Sequence, residues 1–454
     1  MNNLPQKVLL ICNHFAPDNT IAAVRTTKLA KYLINSGYEV MVISENKHEK
    51  DIDTILLSDI EGISVIRAEN SKKVTNFINR YKEVISAVKD KRFDDLNNRV
   101  RVNPKTGKKE FYTFQAAYPF IASLDYITEL IRQYDLFINI KRNLDNYSDV
   151  DYLFTSYGSF FSFYSGRYFN KKNKKVPWIF DIRDSICRYK FTPKYMKWYA
   201  LKSEKYVWKN ADCITGVSKG ICERISEKYR NKVHLVTNGY DLSDKKYISV
   251  EKNADELVFT YTGSMYGGLQ DLSPFFLCLS EVIGDIPSLK DKLKLSYAGN
   301  ALAYEVFKSQ AEKYGLASYC CYQGKLERKD SLKLQAESDV LLVAAFDYST
   351  GKLGTITGKA LEYMMAEKPI IAVINGDLKE NELAKIIRKG NLGFAYEESN
   401  SEYDLPKIKE YLRKILCEYN ESGKISFNAD KEYLKKFDYQ NISKELIDIF
   451  KRLK

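Results

Sequence analysis

Short apolar runs alternate with helical stretches along most of this chain, and the alternation comes in two series. In the first half the strands read Lys7–Asn13, Tyr38–Ser44, Ile63–Arg67, Tyr152–Ser156, Val176–Asp181, Cys213–Val217 and Val233–Thr237, with helices such as Ile21–Asn35 between most of them. The second series reads Leu257–Thr262, Leu293–Ala298, Tyr319–Tyr322, Val340–Ala344, Pro369–Val373 and Gly393–Tyr396. Its helices fall near Asp271–Ile283, Tyr304–Tyr314, Arg328–Glu337, Thr357–Ala366 and Lys379–Arg388. Near-continuous apolar strands joined by helices predict parallel, doubly wound sheets covered on both faces. Two such series joined by the polar stretch Asp241–Glu256 predict two similar lobes facing each other across a cleft. Ligands of open parallel sheets bind beyond the carboxyl ends of the strands, so the cleft is the expected site. Residues 70–150 break the pattern; helix-like, basic and aromatic, they read as an insertion at one end of a sheet. The division expected is a first lobe over 1–245, a second over 254–430 and a final helix over 431–454.

Bulk composition narrows the function. The net charge is +12, and residues 71–110 hold twelve Lys/Arg against five Asp/Glu. Nucleic acid or an anionic membrane surface would suit that excess, and so would a merely solubilising surface. No nucleic-acid-reading motif is present. Eight cysteines without metal-ligand or CxxC spacing imply a reducing, cytoplasmic setting. Three histidines make a histidine-built metal site improbable. The run Val8–Cys12 is too short for a signal peptide, and no apolar run approaches the roughly 20 residues of a membrane span.

The segment Leu353–Val373, LGTITGKALEYMMAEKPIIAV, carries the most chemistry. A helix that begins after a glycine-rich turn aims unpaired N–H groups and a partial positive charge forward, which suits a phosphate. Lys359 adds a full charge. Glu362, three positions on, shares its face and can accept hydrogen bonds from sugar hydroxyls. The same residues also fit an ordinary helix with solvated Lys and Glu.

Eight segments in order resemble GT-B fold glycosyltransferases of the family 4 type, close to bacterial enzymes that build capsule and O-antigen polysaccharides. They are VLLICNHFAPDNTIAAVRTTKLAKYLINSGYEVMVIS, WIFDIRDS, ADCITGVSKGICERI, VHLVTNGYD, VFTYTGSM, LSYAGN, YQGKLERKD and the TGKALEY block. The resemblance implies an α/β fold of two Rossmann-like doubly wound lobes, with a C-terminal helix returning to the first. It implies a nucleotide-sugar donor in the second lobe, UDP-sugar favoured, and transfer with retention of configuration. Glu362 would grip the donor ribose. Lys359, Thr357, Gly358 and the backbone from Gly354 would hold the diphosphate, with Lys352 as a second cation. Gly263 and Ser264, closing the lobe's first strand, would let backbone approach the donor, and Asn238 falls in the segment between lobes. Arg183 and Asp184 fall where the family places residues near donor sugar and acceptor. Relatives carry a further glutamate where Gly354 stands and often a basic pair after the Gly263 turn, here GGLQDL.

No DxD pair stands out as a site candidate, so metal-independent transfer is expected and no cofactor. Asp184 reads equally as an acceptor-side carboxylate, a helix N-cap or a partner for Arg183. His14 and Arg25 are acceptor-side candidates; either also reads as structural or surface. In the helix Lys194–Lys209, Lys194, Lys197, Lys202 and Lys205 share a sector with Trp198 and Trp208 at about 100° per residue. Lysines among tryptophans suit an interfacial membrane helix, or a solvated face over a few packed aromatics. Met196, Ala200 and Val207 form the opposite, core-facing stripe. The reading is a peripheral transferase at the cytoplasmic membrane face acting on a lipid-linked or saccharide acceptor. A catalytically degenerate GT-B partner protein and a sugar-nucleotide epimerase are its alternatives.

Overall fold

A computed structural model describes residues 5–47, 52–90, 100–102, 109–111, 119–183, 193–248, 250, 255–266, 268–347 and 356–454. The chain divides into two compact units. One comprises Met1–Asp94, Thr113–Asn238 and Tyr439–Lys454; the other comprises Asp95–Tyr112 and Gly239–Asp438.

The first unit opens with strands β1 (Lys7–Cys12), β2 (Glu39–Glu45) and β3 (Ser64–Ala68); a separate antiparallel pair, β4 (Val100–Val102) and β5 (Lys109–Phe111), follows in the segment Asp95–Tyr112 that belongs to the second unit. Strands β6 (Tyr152–Tyr157), β7 (Trp178–Ile182), β8 (Cys213–Gly216) and β9 (Val233–Leu235) complete a seven-stranded parallel sheet of order β3-β2-β1-β6-β7-β8-β9. Its longer helices include α1 (Ile21–Asn35), α2 (Lys72–Asp90), α3 (Pro119–Leu144), α4 (Phe160–Lys172) and α5 (Lys194–Asn210). Because successive strand residues point to opposite faces, the sheet feeds two cores. Val8, Leu10, Tyr152 and Phe154 meet α1 and the C-terminal helix Tyr439–Arg452. Leu9, Ile11, Leu153 and Trp178 meet α3, α4 and α5. The C-terminal helix buries Ile442, Leu446, Ile449 and Phe450, and Phe450 stacks on Tyr152 at 4.7 Å. Burial of side chains of this size is worth about 1.5–3 kcal/mol each, so the chain's end is an integral part of the first unit.

The second unit holds β10 (Leu257–Thr262), β11 (Leu293–Ala298), β12 (Cys320–Tyr322), β13 (Val340–Asp347), β14 (Ile370–Gly376) and β15 (Gly393–Glu397), all parallel, in the order β12-β11-β10-β13-β14-β15. Helices α6 (Ser273–Asp285), α7 (Ala301–Glu312) and α11 (Ser401–Ser422) pack on one face. Other helices of this unit are α8 (Arg328–Glu337), α9 (Gly358–Ala366), α10 (Glu382–Lys389) and the short Lys431–Lys435. In both sheets the strand order reverses direction beside the first strand of the unit, β1 or β10. That is the switch point where open α/β sheets leave a crevice at the carboxyl ends. The expected doubly wound α/β organisation is what the structure has; residues 70–150 contribute two long helices and the small antiparallel pair.

Candidate functional site

The second unit's site is built around the end of β10. Gly263 follows the strand with φ of 94°, a conformation glycine adopts without strain. A Cβ there would stand 2.7 Å from Cε of Lys359. The lysine therefore lies directly over the glycine, and a larger residue would have to push it aside. The half-buried Lys359 ammonium donates to Tyr261 Oη at 2.8 Å and to the Ser264 carbonyl at 2.6 Å, and sits 4.2 Å from the Tyr261 ring centroid. Desolvation pulls its pKa down to about 7. Tyr261 stacks on Tyr297 at 5.5 Å, and Tyr297 donates to the Gly263 carbonyl at 2.7 Å. Gly299, after β11, packs so closely that a Cβ would come within 2.6 Å of that same carbonyl. Two tyrosines and two glycines thus fix the turn that faces Lys359.

Helix α9 is bolted to the same strand end. Tyr363 is fully buried, and its hydroxyl accepts from the Thr262 amide at 2.9 Å and lies 3.0 Å from Thr262 Oγ1. Thr357 occupies the N-cap position, and its buried Oγ1 has no hydrogen-bond partner among the described residues. Gly358 is the helix's first residue. Replacing Tyr363 with phenylalanine leaves a buried amide and hydroxyl short of a partner, which costs about 1–3 kcal/mol. Urea unfolding should show the midpoint fall with unchanged slope; an unshifted midpoint would remove Tyr363 as the bolt.

Glu362 is held from both sides. Its Oε1 accepts from Arg328 Nε at 3.1 Å and its Oε2 from Gln335 Nε2 at 3.2 Å. Arg328 also pairs with the buried Asp244 at 3.1 Å, and Gln335 reaches Thr262 Oγ1 at 3.3 Å. The carboxylate is thereby fixed in direction, while each oxygen has a second lone pair for a ligand hydroxyl. Lys359, Glu362, Thr357, Gly358, Gly263 and Ser264 come together in one place. Lys352 and Gly354 lie outside the described residues.

The acceptor-side candidates of the first unit fare differently. Arg25 is 1% exposed. Its Nε and Nη2 grip both oxygens of the fully buried Asp181 at 3.0 and 2.7 Å. Its other donors go to the Val236 and Thr237 carbonyls and, at 3.3 Å, to Asn238 Oδ1. Arg25 therefore does not face a ligand as expected: it ties α1 to the carboxyl ends of the strands, and Asn238 belongs to that knot. Ser156 and Thr215 complete the four bonds to Asp181 at 2.9 and 2.7 Å. Burial alone would raise the Asp181 pKa, but the Arg25 charge and these donors hold it below the usual carboxylate value.

His14 follows β1, half-buried, with Nδ1 3.4 Å from Thr20 Oγ1 and 3.7 Å from Asp18. Burial, then the charges of Lys47 and Arg183, push its pKa down to about 4, so it is neutral at pH 7. Arg183 leaves the end of β7, donates to the Ala22 carbonyl at 2.7 Å and lies over Gly158, whose missing Cβ would meet its Nη2 at 2.0 Å. Asp184 lies outside the described residues. On α5, Met196, Ala200 and Val207 are buried, and Lys194, Trp198, Lys202 and Lys205 are exposed, with Lys197 half-buried. Trp208 turns inward against the core, with Nε1 buried, so it is not part of the outer face.

Tyr261, Tyr297, Arg328, Gln335 and Asp181 are absent from the residues singled out in the sequence. A carboxylate inside the apolar run WIFDI was the one legible signal among them.

These two parallel α/β units carry the GT-B fold, and solved structures of that fold align with the chain end to end. Sucrose-phosphate synthase from Thermosynechococcus elongatus is similar over 99% of both chains, at 16% identity and a TM-score of 0.56. Anabaena HepE in complex with UDP-glucose is similar over 98% of this chain and 99% of its own, at 12% identity and a TM-score of 0.58. The lipopolysaccharide outer core galactosyltransferase WaaB, in its apo form, aligns over 98% and 99%, at 13% identity and a TM-score of 0.55. No family model and no curated protein matches the chain.

Proposed function

We propose that this chain is a glycosyltransferase that moves a sugar from a nucleoside-diphosphate sugar, UDP-sugar favoured, to a lipid-linked or saccharide acceptor. The observation that carries the reading is the cluster at the end of β10. A lysine lies over a glycine turn at the N-terminus of α9, with a fixed carboxylate one turn along that helix. The ammonium and the helix N-terminus suit a diphosphate, and Glu362 suits ribose hydroxyls. Support comes from the fold: the HepE structures of the same architecture hold UDP-glucose, or UDP and glucose.

In this reading the bond from the anomeric carbon to the diphosphate breaks, and Lys359, with Lys352 and the backbone from Gly354 to Gly358, neutralises the departing charge. The acceptor hydroxyl attacks from the same face, its proton passing to the leaving diphosphate, so configuration is retained. Transfer is metal-independent, and a chelator leaves the rate unchanged. Arg183, Asp184 and His14 serve the acceptor side. The enzyme works in cell-surface polysaccharide synthesis, peripheral to the cytoplasmic face of the membrane, with α5 as a contact; no helix among the described residues is long and apolar enough to cross a bilayer. Glu362→Gln should weaken nucleoside-diphosphate-sugar binding about tenfold, while its amide keeps one bond to the Arg328–Gln335 frame. Unchanged affinity by calorimetry would remove Glu362 from the donor site.

A further inference from the structure

Helix α3 is apolar on two faces: Leu136, Phe137, Ile140 and Leu144 are buried in the core, and a second apolar stripe lies outward. Phe120, Ile127, Ile131, Tyr134 and Ile138 are between 41 and 74% exposed. At 100° per residue they fall within about 60° of one another and form a ridge about 27 Å long. Several of the helix's polar side chains are engaged by neighbouring elements. Asp125 accepts from Tyr81 at 2.9 Å, and Asp135 accepts from the Ser71 amide at 2.7 Å and from Asn70 at 3.1 Å. Arg132 pairs with Glu45 and Glu129, and Gln133 caps the Phe161 amide at 2.8 Å. A solvated helix carries one apolar stripe, toward the core, and a polar outer face.

The ridge does not stand alone. Tyr195 of α5 donates to the Ser123 carbonyl of α3 at 2.9 Å, which joins the two helices. Alongside, α5 exposes Trp198 and Leu201, and α2 exposes Phe77 and Val84. These three helices carry ten of the twenty large apolar side chains exposed among the described residues. Surfaces of that kind mark an interaction site. The charge beside it is one-signed: α2 and α5 hold ten Lys/Arg against three Asp/Glu. Lys202 lies 4.8 Å from the Trp198 ring, an aromatic–cation pair of the sort that sits at headgroup level.

We infer that this face is a docking surface for an anionic lipid bilayer, with the α3 ridge inserted among the acyl chains and the lysines of α2 and α5 on the headgroups. A second copy of the chain is disfavoured, since a self-complementary pairing would bring two strongly basic flanks together. The inference deepens the peripheral, lipid-linked reading above and rests on it for its biological purpose, though not for its test.

The full chain is sedimented with phosphatidylcholine vesicles and with vesicles in which a quarter of the lipid is phosphatidylglycerol, at low and high salt. Wild type is expected to bind the anionic vesicles, less so at high salt, with a blue shift in tryptophan emission from Trp198. The triple variant Ile127→Gln/Ile131→Gln/Ile138→Gln should lose at least about tenfold in partitioning, with its melting temperature and nucleotide-sugar binding unchanged. Wild type that ignores anionic vesicles overturns the surface, as does a folded triple variant that binds them fully. So does a wild-type dimer that the variant dissolves without change in vesicle binding. Donor binding on the same samples separates the two readings: donor bound without vesicles sinks the surface alone, and vesicles bound without donor sinks the transferase reading alone.

Discussion

Replacing Arg25 with methionine is expected to lower the stability of the first unit by about 3–5 kcal/mol, because it strands a fully buried carboxylate. Asp181 takes four hydrogen bonds, two of them from Arg25, and neither residue has access to water to compensate. Against a total of about 5–15 kcal/mol for a natural domain, this is a large fraction. Urea unfolding checks it, through a lower midpoint with unchanged slope. The double variant Arg25→Met/Asp181→Leu should recover much of the loss, since an apolar pair of similar volume avoids the stranded charge. A single-variant loss below about 1 kcal/mol would mean the ion pair is incidental. The pH dependence has a definite sign. The folded pKa of Asp181 lies below its ordinary value, so its stabilisation is present above the unfolded pKa and is lost as pH falls through the folded one. Between pH 5 and 8 the pair should add no slope.

Lys359→Met is expected to cut sugar-transfer turnover by about a hundredfold to a thousandfold, the usual cost of removing one fixed donor from developing charge. The structure adds a signature that a mere loss of folding would not show. Burial holds the free Lys359 pKa near 7, so at pH 8 most molecules carry the neutral amine. An arriving diphosphate favours the ammonium and raises that pKa, so donor binding must take up a proton. Calorimetry at pH 8 in buffers of different ionisation enthalpy should report uptake approaching one proton per donor bound. At pH 6 the uptake should be small, and affinity should weaken as pH rises above 7. Lys359→Met should abolish the uptake. If the variant takes up protons as wild type does, Lys359 is not the group that meets the diphosphate.

How much of this was legible in the sequence depended on the range over which each residue's environment is set. Leu257–Thr262 and Leu293–Ala298 are strands end to end, because a run of apolar residues between polar turns dictates a buried parallel strand locally. Met196, Ala200 and Val207 could be assigned to the core from helical spacing alone. Lys359 and Glu362 could be placed on one helix face, but the partners that aim them could not. Tyr261 is 98 residues away from Lys359, and Arg328 is 34 away from Glu362. Arg25 shows the same limit more sharply: an arginine on an amphipathic helix reads as surface, and only Asp181, 156 positions later, makes burial affordable. The α3 ridge was hidden for the converse reason. An apolar stripe at helical period reads as a core stripe, and tertiary packing decides which stripe of a helix faces inward.

The cluster at the end of β10 is expected to bind a nucleoside-diphosphate sugar. Its most direct test is calorimetric titration of the full chain with uridine-, guanosine- and cytidine-diphosphate sugars, with product release followed on the same samples. The expected result is selective binding of one nucleotide, the uridine series first, weakened in Glu362→Gln and stripped of its proton uptake in Lys359→Met. Absence of binding across the whole panel by a folded wild-type chain would contradict it and leave a fold without a donor site.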